Sequence, residues 1–405
     1  MTTPTGHAVI PLHRNRNFRL LWTGSAGAFL GLFALETAMP LLILGTWSSP
    51  ALTSVFAAVQ TTTTVLCGAP AGWLLDRYDR RKLLVLAETA RAVALATLAL
   101  ALWLGQLTIA HVITIAVVLG SMQTVGTARM LLVRASVPDE QLTAAVTGEE
   151  VRNNAAELAG PPLGGVLFAL SPVLPLLAAT TLFTVSAGLT WLVRLPARTQ
   201  PPAASGEVLK GLTAALRERA MRAAILVLML INSVAWIAQL VTIVLLQQHG
   251  VAPWLVGLVV AGFAVGALAG TMLVAPLQRR LGPGALLLVV GLAQVPTLAG
   301  LALSLGPWWA ALMCLCFGLG LPQVRVLLDV LVIRQIPDER RGQALSGVFT
   351  LLSLSLPIGM IGAGMLMNYS TPRTTLLTLA SVLLLGVACA TFSRSVRTAR
   401  WPGKQ

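Results

Sequence analysis

The sequence predicts an all-α membrane protein of about twelve transmembrane helices in two pseudo-symmetric six-helix bundles. Three observations carry this. The chain is 56% hydrophobic and only 10% charged over 405 residues, with a mean hydropathy of +0.82, a balance that soluble domains do not sustain. Apolar runs long enough to cross a bilayer, about 20 residues each, follow one another with short turns between them. A polar segment recurs half a chain length later: ASVPDEQLTAA returns as RQIPDERRGQALSG, with Pro138 and Pro337 separated by 337 − 138 = 199 positions.

The apolar runs place helices at about 18–45, 51–75, 83–104, 108–136, 142–170 and 173–195 in the first half. In the second half they fall at about 223–247, 253–277, 284–305, 307–335, 343–368 and 372–393. The polar start through Arg16 runs into an apolar stretch from Phe18 to Leu44 that exceeds a signal peptide's core, so a retained first helix is expected. Between the halves, residues 196–222 open as a Pro/Ala/Ser-rich linker and close as KGLTAALRERAMR, an amphipathic basic surface helix. The expected organisation is therefore an N-terminal bundle over 1–195, this cytoplasmic linker, a C-terminal bundle over 223–393 and a cytoplasmic tail over 394–405.

The formal charge of +14 invites a nucleic-acid reading, but the basic residues sit at alternate membrane edges. Arg14, Arg16, Arg19, Arg77, Arg80 to Lys82, Arg134, Arg194 to Arg222, Arg279, Arg280, Arg340, Arg341 and Arg394 to Lys404 all fall on one side, and Arg373 is the main exception. By the positive-inside rule both termini face the cytoplasm of an inner (plasma) membrane, with the bilayer and not nucleic acid as the partner. Cys67, Cys314, Cys316 and Cys389 lie inside apolar runs and suggest neither disulfides nor a zinc site. His7, His13, His111 and His249 form no ligand cluster. No Gly-rich phosphate loop is present, so the expected driving force is an ion gradient, with no cofactor and no enzymatic chemistry.

Within this frame the segment GWLLDRYDRRK, from Gly72 to Lys82, resembles the signature of the major facilitator superfamily between helices two and three. Gly72, Leu74, Asp76, Arg77, Arg80, Arg81 and Lys82 match it, and Asp79 stands where the signature has its second glycine. The resemblance implies a cytoplasmic gate; independently, a small residue permits close helix approach and basic residues anchor a turn in the cytoplasm. AELAGPPLGG in helix five resembles that superfamily's antiporter motif at Gly160, Pro161, Gly164 and Gly165, with Ala156 at its usual leading glycine. The whole stretch from Val133 to Leu167, with AMPLLILGTWSSPALTS, is similar to the branch of enterobactin exporters and macrolide efflux proteins. Where that branch often carries Gly-Asp in helix one, this chain has Gly31 and Leu32, and a membrane acid appears instead at Glu36.

A charge at the bilayer centre costs about 2.5–3.5 kcal/mol on insertion scales, so each buried polar group is a candidate for function. Glu36, far from both helix ends with no basic residue in helical reach, is the first candidate for proton coupling, and Glu157 the second. Glu149, Asn153 and Glu157 share one face of helix five, where Glu149 and Arg152 suit a structural pair. Arg325 and Asp329, four apart in helix ten, either neutralise each other or leave Arg325 to meet an acid across the halves. Glu88, Arg91, Arg129 and Arg134 suit gate or fastening charges. The substrate-cavity candidates are Gln60, Asn153, Asn232, Trp236, Gln239, Gln323, Arg325 and Asp329, of which Trp236 either stacks on a flat or cationic substrate or merely packs.

The expected function is proton-coupled export of an amphipathic small molecule by a monomer, through alternating access at the interface of the two repeats. An importer of a metabolite or lipid, and a sensor with a transporter fold, remain the alternatives.

Overall fold

The computed structural model of the chain describes residues 11–194, 219–323 and 338–392. Residues 196–218 of the expected linker, the whole of the expected tail, and Arg325 and Asp329 lie outside the described residues, while the linker's last four residues, 219–222, already belong to the first helix of the second bundle. Helix α1 (Arg16–Trp47) begins where the Asn15 side chain accepts a hydrogen bond from the Phe18 amide. It ends at Ser48, whose φ of 50° is left-handed, and Ser49 then caps α2 (Pro50–Leu66), with Pro50 in its first turn. This two-residue link folds the chain straight back through the membrane.

The second predicted helix proves to be two. α2 stops at Cys67, and α3 (Gly68–Arg77) continues at an angle of 48°. Then follow α4 (Arg80–Trp103), α5 (Ile109–Val125), α6 (Ala128–Ser136), α7 (Asp139–Leu170) and α8 (Leu174–Trp191). α5 and α6 form one span broken at Gly126 and Thr127. The second bundle holds α9 (Arg219–Gln248), α10 (Pro253–Arg280), α11 (Pro283–Ala302), α12 (Pro307–Gly318), α13 (Asp338–Tyr369) and α14 (Pro372–Phe392). Among the described residues nine spans are long and apolar enough to cross a membrane, and the bent α2–α3 pair makes ten. α7, diluted by its charged residues, and the run that α12 opens, which breaks after Gly318 and is described to Gln323, bring the total to about twelve.

Each bundle has its own apolar core. In the first, Leu95, Leu98, Ile115 and Phe183 are fully buried between α4, α5 and α8. In the second, Phe263 and Phe317 meet edge to face with centroids 5.7 Å apart, over Leu228 and Leu286. Outward, Leu86, Val93 and Leu100 recur every seven residues on α4 and are all exposed. In water such a stripe would be a liability; against acyl chains it is the face that solvates the helix.

Close helix approach in lipid needs small residues, because lipid removes the hydrophobic drive between helices. On α10, Gly262, Gly266 and Gly270 sit against the backbone of α12 at Ala311, Leu315 and Leu319. On α7, Gly160 and Gly164 lie against Phe33 and Ala34 of α1. The bundles meet chiefly where α7 packs on α10 and α2 on α13, with smaller contacts of α1 with α9 and α10.

Candidate functional site

A cavity of about 240 Å³ opens between the bundles, walled by α1, α2 and α5 on one side and α9 and α13 on the other. Its lining is more apolar than polar, thirteen residues against eight, and the polar ones are chiefly threonines and glutamines. Glu36 is the one ionisable lining side chain among the described residues, half-buried, and has no ion-pair partner among them. Gln60 of α2 and Trp236 and Gln239 of α9 also line it, so four of the predicted residues converge from three helices and both bundles.

The others fall elsewhere. Glu157 is exposed on α7, near enough to Glu36 for their charges to interact, but it is not in the cavity wall. Asn153 accepts a hydrogen bond from Arg152 Nη2 at 2.8 Å and belongs to a charge network away from the cavity. Asn232 is half-buried one turn from Trp236 and does not line the cavity. Gln323 is buried, with Nε2 donating to the Gly270 carbonyl at 3.0 Å, a helix-to-helix bond inside the second bundle. Sequence reasoning missed Gln123, Thr61, Thr64 and Ser353, all of which line the cavity. The signal for Gln123 was present: it lies four residues after Leu119 on α5, a lone amide in an apolar run, beside charges that drew more notice.

Those charges form a network inside the first bundle rather than a gate between the two. Arg129 Nη2 donates to Glu88 Oε1 at 2.7 Å and to Ser186 Oγ at 3.2 Å, while Arg91 Nη1 lies 3.6 Å from the same Glu88 oxygen. Glu149 pairs with Arg152 as the spacing predicts. The Arg129 and Arg152 guanidinium groups both lie over the Phe29 ring, at 5.6 and 5.4 Å from its centroid. All five charged groups are buried, which makes mutual neutralisation essential. Arg134, by contrast, is exposed.

The bundles are sealed at one end. Gly165 of α7 packs on Pro253 and Gly257 of α10, and Gly257 packs reciprocally on Pro161 and Pro162. Gly364 of α13 lies against Ser54 of α2, and Gln247 Nε2 of α9 donates to the Leu41 carbonyl of α1 at 3.3 Å. These contacts gather the C-terminal ends of α1, α7, α9 and α13 and the starts of α2 and α10. Pro161, Gly164 and Gly165 of the segment that resembles the antiporter motif are thus contact surfaces: toward α10 for Pro161 and Gly165, toward α1 for Gly164.

Comparison with known families decides what this architecture is. The model of the Major Facilitator Superfamily matches residues 21–332, more than three quarters of the sequence. The chain belongs to that superfamily. It is similar to macrolide efflux protein A of Streptococcus pyogenes, at 22% identity over 360 residues, covering 85% of this chain and 87% of that protein. Its fold is similar to a bacterial homolog of the human lysosomal transporter Spinster in an inward-facing, unoccupied conformation, with a TM-score of 0.78, 14% identity, and 96% and 99% of the two chains covered. It is also similar to the nucleoside transporter NupG, with a TM-score of 0.76, 12% identity, and 92% and 98% coverage. This major facilitator is a multi-pass membrane transporter.

The superfamily signature occupies the turn from α3 into α4. Asp79, the departure from the signature, caps α4: its side chain accepts from the Arg81 amide at 2.8 Å and from the Lys82 amide at 3.4 Å. Its φ of −62° is ordinary, so this major facilitator's turn has no need of glycine there. Arg77 lies over the Trp73 ring at 5.3 Å, and Arg80 Nε donates to the Leu75 carbonyl at 3.3 Å. Arg81 Nη1 donates to the Val193 carbonyl at 2.7 Å, tying the turn to the chain just after α8. Gly72 is exposed and no neighbour would obstruct a side chain there. Asp76 is half-buried and Lys82 exposed.

Proposed function

We propose that this transporter exports amphipathic small molecules from the cytoplasm in exchange for protons, by rocking residues 1–195 against residues 223–393 around the cavity. The observation that carries the reading is Glu36, a lone carboxylate in an apolar cavity between the bundles. An anion there is costly unless a proton or a cationic cargo neutralises it. Proton and cargo therefore compete for one group, which is the linkage an antiporter needs. Glu157, within electrostatic reach of Glu36, serves as the relay toward the open cleft.

The basic edges of the bundles mark the cytoplasmic side, so the sealed end faces outward and both termini face in. The host is the inner (plasma) membrane, and a monomer suffices because each chain carries both walls of the cavity. Energy comes from the proton gradient without any cofactor. The name of the similar macrolide efflux protein supports the export direction, and the cavity's apolar wall, with Trp236 and three glutamines, suits the apolar body and few polar groups of an amphipathic cargo.

The test is uptake of amphipathic dyes and antibiotics by energised everted vesicles containing the overproduced protein. Uptake that collapses with a protonophore is expected. Accumulation by intact cells instead would make the protein an importer, and binding without movement would make it a sensor; either result overturns the proposal.

A further inference from the structure

The cavity's polar groups differ in how freely they can turn. Thr53, Thr61 and Thr64 donate their hydroxyl protons to backbone carbonyls of their own helix, at 3.1 Å to Ser49, 2.8 Å to Ala57 and 2.9 Å to Gln60. What they present to the cavity is lone pairs. Glu36, when ionised, also only accepts. Gln60 and Gln239 can present either end of their amides.

Gln123 is different. Its Oε1 accepts from Arg91 Nη2 at 3.4 Å, and a guanidinium has donors and no acceptor. The amide oxygen must therefore face Arg91, which leaves the NH₂ group for the cavity that Gln123 lines. Arg91 is itself held. It pairs with Glu88 at 3.6 Å, lies over the Phe183 ring at 5.5 Å, and shares Glu88 with Arg129. A buried network outside the cavity wall thus sets the direction of one hydrogen-bond donor at that wall.

We propose that Gln123 is a specificity-determining residue, oriented by Arg91, that selects cargo bearing a neutral acceptor such as a ketone, ester or amide oxygen beside its apolar body. The inference rests on the transport reading above and deepens it. Cargo with such an oxygen gains a bond whose direction is set before it arrives, so little rotamer freedom is lost on binding. Cargo without one leaves the amide unpaired.

The test is equilibrium binding to the full-length protein in lipid nanodiscs with two probes. Erythromycin is a cationic amphiphile with ester and ketone oxygens; tetraphenylphosphonium is a lipophilic cation with no hydrogen-bond acceptor. Gln123→Leu should weaken erythromycin about tenfold, the loss of one good hydrogen bond, and change tetraphenylphosphonium less than twofold. Retained phosphonium binding also reports that the variant is folded. Gln123→Glu keeps a partner for Arg91 but turns an oxygen toward the cavity, so erythromycin should weaken and tetraphenylphosphonium tighten. Arg91→Leu should weaken erythromycin in the otherwise unaltered protein but have no further effect in the Gln123→Leu background, the non-additivity expected of a positioning residue. Equal loss of both probes in Gln123→Leu, or loss of neither, would overturn this inference and leave the transport reading standing. If the unaltered protein binds neither probe, the transport reading for such cargo falls, and this inference with it.

Discussion

Glu88 has no exposed surface, yet it carries two arginines: Arg129 at 2.7 Å and Arg91 at 3.6 Å. Removing one partner of a buried charged group typically costs about 3–5 kcal/mol, because the orphaned charge stays desolvated. Glu88→Leu should therefore lower the thermal stability of the detergent-solubilised protein by an amount of that order, whereas Arg134→Gln, exposed near the end of α6, should leave the melting temperature nearly unchanged. Equal melting of the two variants would remove Glu88 from the bundle's support. Glu36 calls for the opposite signature. Glu36→Gln keeps size and polarity but cannot exchange a proton, so the variant should bind cationic cargo more weakly yet still catalyse counterflow at saturating cargo, while losing accumulation driven by a pH gradient. Full gradient-driven accumulation by that variant would pass the coupling role to Glu157.

At the level of elements, the sequence made most helices legible because lipid rewards unbroken apolar runs, and the bundles hold helices close to the predicted spans. The bend at Cys67 was hidden because CGAPAGWLL remains apolar across it; Gly68 and Pro70 were its only marks. Of the site, Glu36, Gln60, Trp236 and Gln239 were legible as polar groups stranded in lipid-length runs. Gln123 carried the same mark, but the direction of its amide was not legible, because that depends on Arg91, 32 residues away on another helix. Gly257 was equally silent, since nothing local announces that α10 will meet Pro161. Its role is open to a direct test. A methyl group on Gly257 would run into the Pro161 carbonyl oxygen, backbone that has nowhere to retreat, so Gly257→Ala should part the bundles at the sealed end. With the four native cysteines replaced and Gln60→Cys as reporter, labelling by a membrane-impermeant thiol reagent from the sealed side should rise severalfold. Unchanged labelling would mean that the α7–α10 contact does not hold that end shut.

Over the whole molecule, the internal echo lies at equivalent places in the two bundles: Pro138 precedes α7, and Pro337 precedes the first described residue of α13, Asp338, 338 − 139 = 199 positions after Asp139. Two such units, with a cavity between them and contacts gathered at one end, are the parts that alternating access requires. If rocking is the transport movement, fastening the sealed end must stop it. Gly364 and Ser54 face each other across the bundles closely enough that a Cβ on Gly364 would lie 2.6 Å from the Ser54 Cβ, and a small outward adjustment reaches the roughly 3.5–4.5 Å of a disulfide. In a background lacking Cys67, Cys314, Cys316 and Cys389, which are free thiols, the pair Ser54→Cys and Gly364→Cys should form a bond under mild oxidation. Oxidised protein should bind cargo from the basic side with unaltered affinity, because the cavity lies on the far side of the fastening, yet show no net transport; reductant should restore it. Ser54→Cys alone should transport normally under the same oxidation, and Gly364→Cys alone should transport as the reduced double variant does, which separates the bond from the substitutions. Transport at the full rate by the cross-linked protein would mean that cargo passes without the bundles parting at this end, and the rocking mechanism would have to be abandoned.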